Sequence, residues 1–194
     1  MKAATPGVVY QIKVMLEDSH PPIWRRLLVP DDITLADLHD IIQVAMGWEN
    51  YHLHQFIVKG EYYGEPHPDY GFEMHDEREV TLRQIAPREG FKFRYEYDFG
   101  DSWLHQILVE KILPPEPEQF YPVCIKGKRA CPPEDVGGIW GYYNFLEAIQ
   151  DPDHPEHEDY LEWIGEEFDP EAFDLEAVNQ GLRALWEWKH SRRR

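Results

Sequence analysis

Basic side chains are scarce in this sequence. Its 194 residues hold 19 lysines and arginines against 37 aspartates and glutamates, a formal net charge of −18. The deficit is shared: residues 1–113 carry 11 basic and 19 acidic groups, residues 114–194 carry 8 and 18. A nucleic-acid platform neutralises phosphates with a basic surface, so the balance argues against a nucleic-acid partner. The one basic run is Arg192, Arg193 and Arg194 at the C-terminal end. Cysteine is almost missing. Cys124 and Cys131 are too few for a disulfide-stapled scaffold, and read as buried thiols, a small-loop disulfide or two ligands of one metal. No stretch nears the roughly 18 apolar residues of a membrane span. The opening MKAATPGVVYQIKV lacks the apolar run of a signal peptide. A soluble, cytoplasmic protein with no membrane partner is expected.

Serine is scarce as well, confined to Ser19, Ser102 and Ser191. There is no GxSxG, HExxH, phosphate-binding P-loop or dinucleotide glycine fingerprint, so the nucleophiles and cradles of those enzyme classes are missing.

What is present suffices for a core. Hydrophobic residues make up 42% of the chain, which excludes wholesale disorder despite the charge. Val8–Leu16 and Ile23–Val29 read as strands joined by a turn over Asp18–Pro22, a first hairpin. Thr34 stands three residues before Asp37, and Leu35, Leu38, Ile41, Ile42, Ala45 and Met46 recur at helical spacing until Gly47. That is a capped amphipathic helix. Leu53–Lys59 reads as a strand, the next twenty residues as a long loop, and Leu82–Ile85 as a short helical turn. Phe91–Phe99 alternates aromatic and polar residues, a strand with one buried face. The FGDSW turn sends it back as Trp103–Leu113, a second hairpin.

Pro114, Pro115 and Pro117 break the pattern, since neither helix nor central strand tolerates them. They divide an α+β region, 1–113, from a Pro-rich connector and acidic helical region, 114–194, packed with the first as one globular unit. Helices are expected near 140–150, 156–166 and 174–189. Asp151–Glu176 holds 12 acids and no lysine or arginine. The fold expectation is α+β: a mixed or antiparallel sheet of two hairpins with a packed helix, plus a C-terminal helical lobe.

Several motifs together carry a resemblance: WRRLLVP, the helix ending AMGW, HLHQF, YDFGDSW, and ACPPEDVGG running on to FLEAIQDPDHPEHEDYLEW. From about Val8 to Leu185 the sequence resembles the plasmid pRiA4b ORF-3-like family. The resemblance implies an α+β fold and an association with plasmids and mobile elements, and brings no catalytic residues with it. Some relatives bear a resolvase-like label. A serine recombinase needs its nucleophile among arginines, whereas Ser102 lies between Asp101 and Trp103, so that chemistry is rejected.

The residues suggest one metal-site candidate. His52 and His54, two apart at a strand start, place both imidazoles on one face; the alternative is strand-end histidines bonded to nearby backbone. Asp98, Asp101 and His105 flank the second hairpin turn, where carboxylates can hold a divalent cation such as zinc or cap turn amides. Convergence of all five would favour metal. Cys124, Cys131, His154 and His157 have the wrong spacing for an ordinary zinc site. Glu134, Asp135, Gly137 and Gly138 read as a rigid connector with backbone-capping acids, a metal on them being the lesser alternative. Arg25, Arg26, Lys92 and Arg94 on one sheet face would be the nucleic-acid candidate, and ordinary ion pairing is preferred. Trp186 and Trp188 cannot both face the core, so one is left for a partner. The leading functional expectation is an accessory module acting through a protein partner. The alternative is a metal-dependent hydrolase, and sequence-specific DNA binding comes third.

Overall fold

The computed structural model describes residues 7–192. Its centre is an eight-stranded sheet built from β1 (Val9–Leu16), β2 (Trp24–Pro30), β3 (His54–Val58), β4 (Glu61–Gly64), β5 (Met74–Asp76), β6 (Lys92–Tyr97), β7 (Trp103–Leu113) and β8 (Val123–Lys128). The order across the sheet is β5-β4-β3-β6-β7-β1-β2-β8. Every neighbouring pair is antiparallel except β4 and β5. The fold is α+β with a mixed sheet, and both expected hairpins, β1–β2 and β6–β7, lie within it.

The alternation read from the sequence decides which face is buried. Tyr95 pairs with His105 and Tyr97 with Trp103; Val14 pairs with Ile107 and Ile12 with Leu27. Directly paired residues share a face, so these side chains form one continuous apolar floor, and all are buried. Helix α1 (Leu35–Met46) presents Leu35, Leu38, Ile41, Ile42, Ala45 and Met46 as buried residues of the same core. Its ends match expectation. Thr34 and Asp37 form a reciprocal capping box, and Gly47 closes the helix at φ 110°, a conformation glycine adopts without a Cβ clash.

The same register carries Arg25 onto the buried face, opposite Val14. Only 2% exposed, it donates from Nε to Ala45 O, from Nη1 to Trp24 O and Lys128 O, and from Nη2 to Met46 O. Its guanidinium also lies 4.3 Å from the Phe173 ring. Arg25 thus ties the last turn of α1 to β2 and β8, and the proposed four-residue basic face does not form. Arg26 pairs with Glu110 and Arg94 with Glu17.

Short helix α2 (Leu82–Ile85) precedes β6, and α3 (Gly138–Gln150), α4 (His157–Ile164) and α5 (Leu175–Ser191) follow β8. Asn179 of α5 exchanges two hydrogen bonds with the Cys124 backbone, and Lys189 reaches Asp37 and Asp40 on α1. Trp186 packs partly buried against the core, whereas Trp188 is 52% exposed. Three strands differ from the sequence reading. The segment after β3, expected as loop, supplies β4 and β5. Beyond the proline break, β8 adds to the sheet edge beside β2. β4 and β5 have four and three residues; β8 has six, but Gly127 and two lysines weaken its pattern. All three are completed by an existing edge that supplies hydrogen-bond partners. Among the described residues, no helix is long and apolar enough to cross a membrane.

Candidate metal centre

Three segments meet at one end of the sheet: the chain from Gly47 into β3, the β6–β7 turn, and the connector leading into α3. His52 comes from the first, Asp98 from the second, Glu134 and Asp135 from the third. His52 Nε2 lies 2.7 Å from Asp135 Oδ1, 3.5 Å from Asp98 Oδ2 and 3.9 Å from Glu134 Oε2. Among the described residues, His52, Asp98 and Asp135 form the only trio of ligand atoms mutually within 4.8 Å.

The surroundings hold these groups in place and leave their converging atoms facing one another. Asp98 Oδ1 accepts from the Gly100 and Asp101 amides, which leaves Oδ2 toward His52. Glu134 Oε1 accepts from the Glu49 amide and the Tyr97 hydroxyl. Burial, then the Glu134 carboxylate, pushes the Tyr97 phenol pKa up, so Tyr97 stays a donor. Glu134 Oε2 and His52 Nε2 are both buried atoms without a hydrogen-bond partner; the close approach of Asp135 to His52 lacks hydrogen-bond geometry. Asn50, Asp98 and Asp135 all adopt left-handed backbone, with φ near 57°, 60° and 60°. Such conformations cost about 1 kcal/mol or more and persist where the surroundings over-determine them.

Three carboxylates around one imidazole leave a negative excess in a partly buried place, which a cation would neutralise. One nitrogen and three oxygens suit a borderline or hard divalent ion, such as zinc or manganese.

The sequence-derived set of five does not converge. His52 and Asp98 meet, while the other three are engaged elsewhere. Asp101 accepts the Gly137 amide at Oδ2, and a Cβ on Gly138 would lie 2.5 Å from the Asp101 carbonyl oxygen. Asp101 therefore docks the connector that carries Glu134 and Asp135. His105 is fully buried; its Nδ1 donates to Tyr95 O, and its Nε2 accepts from the Trp48 indole N–H. Burial lowers its pKa to about 4, so the ring is neutral.

His54 faces a neighbouring cleft of about 320 Å³ that His52 also lines. Its Nε2 lies 2.7 Å from Oε2 of buried Glu77. Its ring stacks on His39 at 3.4 Å and 6°. His39 belongs to a closed circuit. Gln43 donates to the Tyr95 hydroxyl, which donates to His39 Nδ1; His39 Nε2 donates to Asn50, whose amide donates back to Gln43. Burial first, then the His54 neighbour, lowers the His39 pKa to about 3. The circuit braces Asn50 two residues before His52.

The cysteines and the later histidines do not gather into a site among the described residues. Both thiols are free. His157 Nδ1 is bonded to Ala148 O, and His154 Nδ1 accepts the Glu156 amide.

Comparison with known proteins adds a neighbourhood. The model of the plasmid pRiA4b ORF-3-like protein family matches residues 8–177. The chain belongs to that family. It is 39% identical over 190 residues to the uncharacterized protein y4hQ of Sinorhizobium fredii, covering 95% of this chain and 97% of that one. It is likewise 39% identical to MM3350 of Methanosarcina mazei Go1, whose crystal structure is that of a protein of unknown function. The TM-score there is 0.79, over 89% of this chain and 98% of the other.

Sequence reasoning gave Glu134 and Asp135 a connector's role. Their acidity next to a Pro-Pro and a Gly-Gly pair was visible; their approach to His52, more than eighty residues away in sequence, was not.

Proposed function

We propose that this protein binds one divalent cation through His52, Asp98, Glu134 and Asp135, and hydrolyses a substrate held in the adjoining cleft. The observation that carries this reading is the pair of buried atoms without a hydrogen bond, His52 Nε2 and Glu134 Oε2, 3.9 Å apart, with Asp98 and Asp135 oxygens beside them. A divalent ion so held acidifies a water ligand toward neutral pH. The His54–Glu77 pair lies in the same cleft, where a carboxylate-oriented imidazole can take up and return a proton.

The test is elemental mass spectrometry on untagged protein loaded with zinc or manganese and dialysed. Near-stoichiometric metal is expected in wild type and in His54→Ala, with a loss of about tenfold or more in affinity for His52→Ala and Asp98→Asn. Metal-loaded protein is then screened on amide and phosphoester substrates. Folded wild type that retains no metal would sink the proposal.

A second reading, an accessory role through a protein partner, is supported by the side chains left in solvent along the acidic segment. Leu161 and Trp163 of α4 are 42% and 47% exposed, in a helix with no buried residue.

A further inference from the structure

Behind those exposed side chains lies a groove of about 340 Å³ between α3, α4 and the segment leaving α4. Its lining has two parts. Ile149, Leu161, Ile164, Phe168 and Pro170 supply an apolar floor; Glu166, Glu167 and Asp169 stand among them as acids. The floor is fixed from below. Phe145, fully buried, has Phe168 at 5.3 Å, Tyr160 at 5.5 Å and Trp163 at 5.9 Å between ring centroids. The groove is therefore set on the core, although α4 itself is half in solvent.

Its charge is one-sided. Apart from Ile149 and Gln150 at the end of α3, its lining comes from Asp151–Glu176, which contains 12 acids and no lysine or arginine. Arg129, which donates to Pro170 O, is paired with Glu171. No cation lines the groove.

We propose that this groove docks a basic protein segment with an apolar anchor, a leucine or phenylalanine flanked by lysines or arginines. The proposal rests on the partner-binding reading and is independent of the metal centre. The anchor would fill the Ile149–Leu161–Phe168 floor and remove Leu161 from water, while the flanking cations meet Glu166, Glu167 and Asp169. Apolar anchoring would give affinity, and the acids would give selection and fast encounter.

The test is fluorescence anisotropy with a fluorescein-labelled synthetic peptide in which leucine and phenylalanine alternate with lysine and arginine. Saturable binding that weakens as salt rises is expected. Leu161→Asp, and separately Glu166→Lys/Glu167→Lys, should each weaken it about tenfold or more, the usual loss for a removed anchor. Both variants alter exposed side chains, and thermal unfolding checks that they fold. Equal affinity for a peptide with glutamates in place of the cations would overturn the charge argument. Undiminished binding by both folded variants would overturn the groove while sparing a partner role elsewhere. Absence of binding would likewise overturn the groove as a dock for a basic segment. Concentration-dependent dimerisation abolished by Leu161→Asp would make a second copy the occupant and reject the basic segment.

Discussion

His105 and His39 show how one side chain turns burial into pH dependence. Free imidazole takes a proton near pH 6.5, but the folded protein refuses it until about 4 at His105 and about 3 at His39. Above pH 6.5 neither the folded nor the unfolded chain holds these protons, so they do not affect stability there. Between 6.5 and 4 the unfolded chain binds more protons, and stability falls as pH falls. The slope is at most about 1.4 kcal/mol per pH unit for each ring. Urea titrations of metal-free protein across this window should show the decline, and His105→Gln, which cannot titrate, should remove about half of the histidine contribution. An unchanged slope in that variant would mean that His105 is already protonated in the fold. The same burial makes both rings poor metal ligands: each nitrogen already has a protein partner.

At the scale of elements, the connector into α3 matters most, because it brings two carboxylates to His52. Asp101 holds it through the Gly137 amide. Gly138 lies against the Asp101 carbonyl at φ 71°. Gly138→Ala would combine a left-handed alanine with a backbone clash, and should cost about 2–4 kcal/mol. Gly165→Ala has a similar φ, 68°, but open space around it, and should cost only about 1 kcal/mol. Chemical denaturation compares the two. Metal titration should show weaker binding for Gly138→Ala alone, and equal effects of the two substitutions would refute the docking role of Asp101. Helix α1 was fully legible beforehand because its signals are local: Thr34 and Asp37 at one end, Gly47 at the other, and apolar residues at helical spacing between. Strands β4 and β5 were not, because strands of four and three residues are specified by the edge that receives them, and β8 was not, because Gly127 and its lysines blur the strand pattern.

Across the whole molecule, Arg25 is the joint. Four carbonyls from β2, β8 and the end of α1 converge on one guanidinium that has no carboxylate partner among its hydrogen bonds. Burial lowers its pKa, yet the carbonyls and the Phe173 ring keep it solvated by protein. Arg25→Met would relieve the burial of a charge but leave four acceptors unsatisfied at about 1 kcal/mol or more each. We expect a net loss of about 2–3 kcal/mol by urea unfolding. A variant within about 0.5 kcal/mol of wild type would show that the relief of charge burial compensates.

The sequence by itself determined the α+β class, both hairpins, the capped helix, the three C-terminal helices and the family, because period-2 and period-3.6 patterns and tight turns are local properties. It also presented His52 and Asp98 as candidate ligands on the strength of residue type and strand-end position. Tertiary structure decided which acids meet them. Sheet register sends His105 and Arg25 inward, a stacked ring and Glu77 engage His54, and the Gly137 amide bonded to the Asp101 carboxylate draws Glu134 and Asp135 from the far side of the proline break. Those are distances between residues far apart in the chain, set by packing and by which buried polar atoms find partners.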